Sequence, residues 1–220
     1  MNNELKKRIF TSILLISLLA AMYLYSFMMI IALIIIAIIV WIELYALISK
    51  IFPKNRLKDR FNRLLYKTIS LLYLSLLVCF IFAIESNYIN LKVYLLYSVL
   101  VAILSDIGGL VFGKIFKGKK LIKISPNKTI SGSIGSLVFS LTLIPFFNEK
   151  FVFINLLNLI LITISISITS QLGDLFISFL KRKAKVKDTS DLLPGHGGFL
   201  DRVDGIIFAI PIGFLLFNIF

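Results

Sequence analysis

The chain reads as an all-α, polytopic integral membrane protein with about seven transmembrane helices and a cytoplasm-facing polar cavity. Of its 220 residues 59% are hydrophobic and only 16% charged, with mean hydropathy +0.97, a composition outside the soluble globular range. The apolar residues fall into seven runs near the ~20 residues that a helix needs to cross a ~30 Å hydrocarbon core. The net charge of +13 sits in short basic stretches between those runs, so it is topological. That pattern points to anionic membrane lipid and anionic substrate as partners and excludes nucleic acid.

The runs cover roughly residues 9–26, 28–49, 69–84, 93–113, 132–147, 151–172 and 199–220. Lys6, Lys7 and Arg8 before the first run look like the start of a signal peptide. The apolar stretch, however, continues from Ile9 to about Ile48 with no polar cleavage region, which predicts two uncleaved spans. The third and fifth runs are short, so each is either tilted differently or partly re-entrant. An N-terminus inside leaves Lys92 and Lys150 as the only outside members of the 24 basic residues, and it puts 50–67, 114–128 and 181–187 inside. The expected location is a bacterial cytoplasmic (inner) membrane, with the N-terminus and the active site cytoplasmic. Two domains follow: residues 1–92, with three spans and a basic interfacial segment 50–67, and a four-span catalytic domain 93–220. Within the first, residues 51–67 mix Phe, Leu and Tyr with six Lys and Arg, predicting an amphipathic helix on anionic headgroups whose start Pro53 delays. The single Cys79 allows no intrachain disulfide and is read as packing.

Ionisable groups in such a chain are costly and mark function. Asp174, Ser178 and Lys181 or Arg182 recur at helical spacing at the end of the sixth run, and Thr163, Ser167, Ser170 and Gln171 extend that polar face, which implies a cavity or a partner helix. Asp201 and Asp204, three apart, would project to one side of a helix and repel unless a cation neutralises them. Mg²⁺ suits them, since it takes oxygen ligands and shares them with phosphates, and a second cation is admitted. A cage of Lys and Arg salt bridges, or a transporter's proton relay, are the rival readings. Between these acids lies Leu193-Pro-Gly-His-Gly-Gly198, where glycine backbone can approach phosphate oxygens and His196 can donate to them or move a proton. A third region joins Asp106, inside the fourth run beside Gly108 and Gly109, to Ser125, Lys128 and Thr129 ahead of the fifth, where a helix N-terminus favours anions. Glu43, an acid inside the second run, is read as hydrogen-bonding a neighbouring helix, lining the cavity or simply packing.

The residues Ser178-x-x-Lys181-Arg182, Lys187-Asp188-x-Ser190 and Leu193-Pro194-x-His196-Gly197-Gly198-x-x-Asp201-Arg202-x-Asp204 resemble the signature of phosphatidate cytidylyltransferases, also called CDP-diacylglycerol synthases. Upstream, Gln171-x-Gly173-Asp174-Leu175, Ser125-Pro-x-Lys-Thr129 with Gly132, and Asp106 with Gly109 are similar to segments of the same family, so the resemblance covers residues 105–205. Ile130-Ser131 stand where that family usually has Trp-Glu. The resemblance implies that CTP and phosphatidate give CDP-diacylglycerol and pyrophosphate. Carried over residue by residue, it implies Asp174, Asp201 and Asp204 as metal ligands and catalytic residues together with Lys181. It implies a substrate-binding set of Arg182, Lys187, Arg202, Gly197 and Gly198 for the triphosphate, and of Ser125, Lys128 and Thr129 for either phosphate. His196, Ser178 and Asp106 are further contacts, and a homodimer is admitted. A CTP-dependent polyprenol kinase, and an ion-coupled transporter, remain the alternatives.

Overall fold

A long apolar run leaves the helix as the conformation that keeps its backbone hydrogen bonds internal. The computed structural model describes residues 3–53, 56–87, 92–122, 125–151, 154–195 and 197–219. Among them the elements are α1 (Asn3–Leu24), α2 (Ser26–Ile51), α3 (Leu57–Asn87), α4 (Lys92–Phe116), β1 (Lys120–Ile122), β2 (Ser125–Thr129), α5 (Ile130–Leu141), α6 (Ile144–Phe147), α7 (Leu156–Lys183), α8 (Leu200–Val203) and α9 (Ile206–Ile219). Six helical stretches are long and apolar enough to cross a membrane, and the first run forms a shorter apolar helix, Ile9–Leu24. The protein is therefore an all-α, multi-pass membrane protein, as its hydropathy predicts.

Several expectations are corrected in detail. The basic segment is helical from Leu57, after the delay expected of Pro53, and it continues unbroken into the third run as α3, which ends at Asn87, because no Gly or Pro interrupts the sequence after Pro53. The sixth run extends to Lys183, which places Asp174, Ser178, Lys181 and Arg182 on one continuous helix. The fifth run breaks at Thr142–Leu143 before Pro145, in the first turn of α6. The last run breaks at Asp204–Gly205, between α8 and α9. Ahead of the fifth run, residues 120–122 and 125–129 pair as antiparallel strands, with Lys120 opposite Thr129 and Ile122 opposite Ser125.

The chain divides into two compact units, Met1–Ile89 with Leu180–Arg202, and Asn90–Phe179 with Val203–Phe220. The first boundary lies close to the division at 92/93 drawn from the sequence. Leu180–Arg202, however, groups with the N-terminal helices instead of the catalytic domain. In the first unit α2 packs on α1 and α3.

In the second unit a core of Tyr97, Val101, Leu159, Ile162, Ile166 and Ala209 is almost solvent-free. Tyr94 stacks on Phe217 with ring centroids 4.4 Å apart. Helices α4 and α5 approach closely because Gly108 faces Gly135, where a Cβ would strike the Gly135 carbonyl. The polar face of α7 meets partner helices: Tyr97 Oη lies 2.6 Å from Thr163 Oγ1, Ser105 Oγ 2.9 Å from Ser167 Oγ, and Ser133 Oγ donates to Gln171 Oε1 at 2.5 Å. Of the two outcomes that face implied, partner helices account for Thr163, Ser167 and Gln171.

Candidate active site

In the first unit two carboxylates organise the segment after α7. The helix ends at Lys183, and Lys185 turns the chain with φ 56°. Lys181, in the last turn of α7, donates to Asp201 Oδ1 at 2.6 Å, with both side chains largely buried. Asp201 Oδ2 accepts from Thr189 N at 2.9 Å, Thr189 Oγ1 at 3.1 Å and Gly198 N at 3.2 Å. A carboxylate so provided for stays charged out of bulk water.

The second carboxylate is Glu43 of α2, only 3% exposed. Its Oε1 accepts from Ser190 Oγ at 2.5 Å and Phe199 N at 3.0 Å. Its Oε2 accepts from Thr189 Oγ1 at 2.9 Å and Leu200 N at 2.7 Å. Glu43 thus closes both ends of the 189–200 segment around one anion, and its amide partners are those at the start of α8. Of the readings open for it, hydrogen bonding is the one realised, to the loop residues Thr189, Ser190 and Phe199 and to Leu200 at the first position of α8. Thr189 carries one hydroxyl proton and lies within reach of both carboxylates, so it serves one of them at a time.

The glycines of the loop fit this arrangement. Gly197 has φ +80°, and a Cβ there would come 3.3 Å from Asp201 Oδ2. A Cβ on Gly198 would collide with Thr189 Oγ1 and lie 2.9 Å from both Glu43 oxygens. Leu193 N donates to Gly197 O at 2.8 Å, closing the turn between them. His196 lies outside the described residues.

In the second unit the acids form a different group. Asp204, 5% exposed, hydrogen-bonds the Asp174 carboxyl, and Asp106 adds a further like charge nearby. Two carboxyls in contact need a proton or a cation between them. Lys128, at the end of β2, pairs with Asp174. Gly205 N donates to Asp204 Oδ1 at 2.9 Å. Thr129 caps α5: its Oγ1 accepts from Gly132 N at 3.1 Å and lies 3.1 Å from Ser131 Oγ.

The expectation that Asp201 and Asp204 share one helix side is corrected. The helix carrying Asp201 ends at Val203, and the glycine after Asp204 starts a new turn, so the two carboxyls have separate partners. Of the other residues singled out in the sequence, Ser178 and Ser125 are half-buried, while Arg182, Lys187 and Arg202 are exposed. Thr189 escaped notice altogether. Its one sequence signal is its place between Asp188 and Ser190.

The Asp174–Asp204 contact fits a divalent cation in the manner of Mg²⁺, which is often held by one or two carboxylates with waters and substrate phosphates completing its shell. Among the described residues no cluster of three or more acidic, histidine or cysteine side chains forms a complete metal cage.

Residues 1–220 match the family model described as Cytidylyltransferase family. A phosphatidate cytidylyltransferase of Rickettsia bellii is 38% identical over 163 residues, covering 70% of this chain and 70% of the relative. One of Staphylococcus haemolyticus is 41% identical over 165 residues, covering 74% and 61%. One of Staphylococcus aureus is 46% identical over 122 residues, covering 54% and 46%. The alignments thus span between about half and about two thirds of these relatives' lengths. The family resemblance is borne out: the chain belongs to the cytidylyltransferase family.

Proposed function

We propose that this protein is a phosphatidate cytidylyltransferase that transfers CMP from CTP to phosphatidate, giving CDP-diacylglycerol and pyrophosphate for phospholipid synthesis. The relatives' shared name supports the reaction. The observation that carries the residue assignment is the contact of two carboxyls, Asp174 and Asp204, with Lys128 paired to Asp174, in a chain otherwise dominated by apolar helix.

An oxygen of the phosphatidate phosphate attacks the α-phosphorus of CTP, and the bond to the oxygen bridging α- and β-phosphorus breaks, leaving pyrophosphate with the electron pair. The attacking phosphate is already ionised, so no side-chain base or covalent intermediate is required, and catalysis rests on positioning and charge. Asp174 and Asp204 would hold Mg²⁺, which when bound neutralises phosphate oxygens and stabilises the leaving group. Lys128 and Lys181, each held by a carboxylate, are proposed to turn to phosphate oxygens when substrate arrives. Asp201, engaged by Lys181, Thr189 and Gly198, is proposed to orient that lysine and the glycine turn. Arg182, Lys187 and Arg202 are proposed triphosphate contacts, and a reaction at the cytoplasmic face is proposed, which the charge asymmetry of the loops supports.

The test is to incubate the purified protein with phosphatidate, Mg²⁺ and CTP labelled at either the α- or the γ-phosphate. Label from the α position should enter the lipid phase, and label from the γ position should appear as pyrophosphate. If α label stays aqueous while γ label enters lipid, the protein is a kinase and the proposal fails.

A further inference from the structure

In the first unit α2 and α3 flank an open cavity of about 660 Å³. Arg60, Arg63 and Lys67 of α3 line it, spaced three and four apart and therefore on one helix face. Trp41 and Tyr45, four apart on α2, supply aromatic surface opposite. Lys67 is only 8% exposed. Its ammonium lies 3.0 Å from the centre of the Tyr45 ring, and no carboxylate pairs with it among the described residues. A ring face offsets part of the loss of water around an ammonium but does not neutralise it. The indole Nε1 of Trp41 is also buried without an acceptor. A buried cation lacking a counter-ion, two arginines and an unused N–H donor together describe a place for an oxyanion.

Leu64 and Leu71 also line the cavity, and a freely soluble anion gains nothing from apolar surface. An anionic group bearing apolar substituents uses both kinds of wall, and basic pockets between membrane helices commonly take lipid headgroups. We infer that this cavity binds the phosphate headgroup of an anionic membrane phospholipid. The site is independent of the reaction proposed above, and its occupancy is read without turnover.

Trp41 is the single tryptophan of the chain, so its emission reports on this cavity directly. The full chain, purified in dodecyl maltoside, is titrated with dihexanoyl phosphatidylglycerol and, separately, with inorganic phosphate. A saturable change in emission is expected with the lipid and none with phosphate over the same concentrations. Lys67→Gln should raise the lipid midpoint by roughly tenfold or more, as expected for loss of a charge-assisted contact. Lys67→Arg should stay close to the parent, and Lys58→Gln, exposed on the same helix, should not differ from it. Should Lys67→Gln fail to fold by circular dichroism, Arg63→Gln carries the same expectation. An unchanged midpoint in the folded charge-removing variant, the absence of any saturable change, or equal response to inorganic phosphate would overturn the inference.

Discussion

Glu43 is the residue on which the segment after α7 depends, since one carboxylate answers two backbone amides and two hydroxyls. Glu43→Gln keeps the volume but turns one acceptor into a donor facing donors, an arrangement that costs about 1–3 kcal/mol where it is buried. The expected result is turnover lowered by roughly tenfold, with faster tryptic cleavage at Lys185 or Lys187 while the remaining chain stays resistant. Unchanged turnover and cleavage would reduce Glu43 to packing. Asp204→Asn probes the other group. It retains shape and a hydrogen bond to Asp174 but removes a proposed cation ligand. The Mg²⁺ concentration for half-maximal transfer should rise by at least the roughly 10–100-fold that loss of even an outer metal partner costs. A normal Mg²⁺ dependence in a folded variant would remove Asp204 from the ligand set. Asp201, Asp204 and Lys181 stand out in the sequence by their spacing and by the resemblance. The part of Glu43 is not, because its partners lie 146 to 157 residues away in sequence and no local pattern encodes such a contact.

At the scale of elements, α4 is held to α5 by shape and to α7 by hydroxyl pairs, and these two devices differ in strength. Tyr97→Phe deletes the bond to Thr163, whose hydroxyl still donates to the Leu159 carbonyl at 2.6 Å. Loss of about 0.5–1.5 kcal/mol is expected. Gly108→Leu must instead drive a side chain into the Gly135 backbone, for which about 1–3 kcal/mol or more is expected. Thermal unfolding in one detergent should therefore rank Gly108→Leu well below Tyr97→Phe, and the reverse order would contradict the packing described. The helices were legible because hydropathy reports apolar runs directly. The breaks at 142–143 and 204–205 were not, since a broken helix and a continuous one bury the same apolar sequence. The strand pair β1 and β2 escaped notice for a related reason: the two strands are three and five residues long, too short for an alternation to stand out among lysines.

For the whole molecule, the seven apolar runs and the bias of basic residues together predict which loops face the cytoplasm. In a Cys79→Ser background, Lys150→Cys should react with a membrane-impermeant maleimide in intact cells. Lys117→Cys should react only after permeabilisation. Equal labelling of both in intact cells would invert or abolish the proposed orientation. The last apolar run carries a further consequence. A helix continuous through residues 200–219 would spend its interior N–H groups on its own carbonyls. By stopping at Val203 and restarting at Ile206 the chain instead releases amides beside Asp204, one of which, from Gly205, bonds its carboxyl. The main chain there takes over the part of a hydration shell, already oriented, so an acid buried in an apolar span is solvated by polypeptide in place of water.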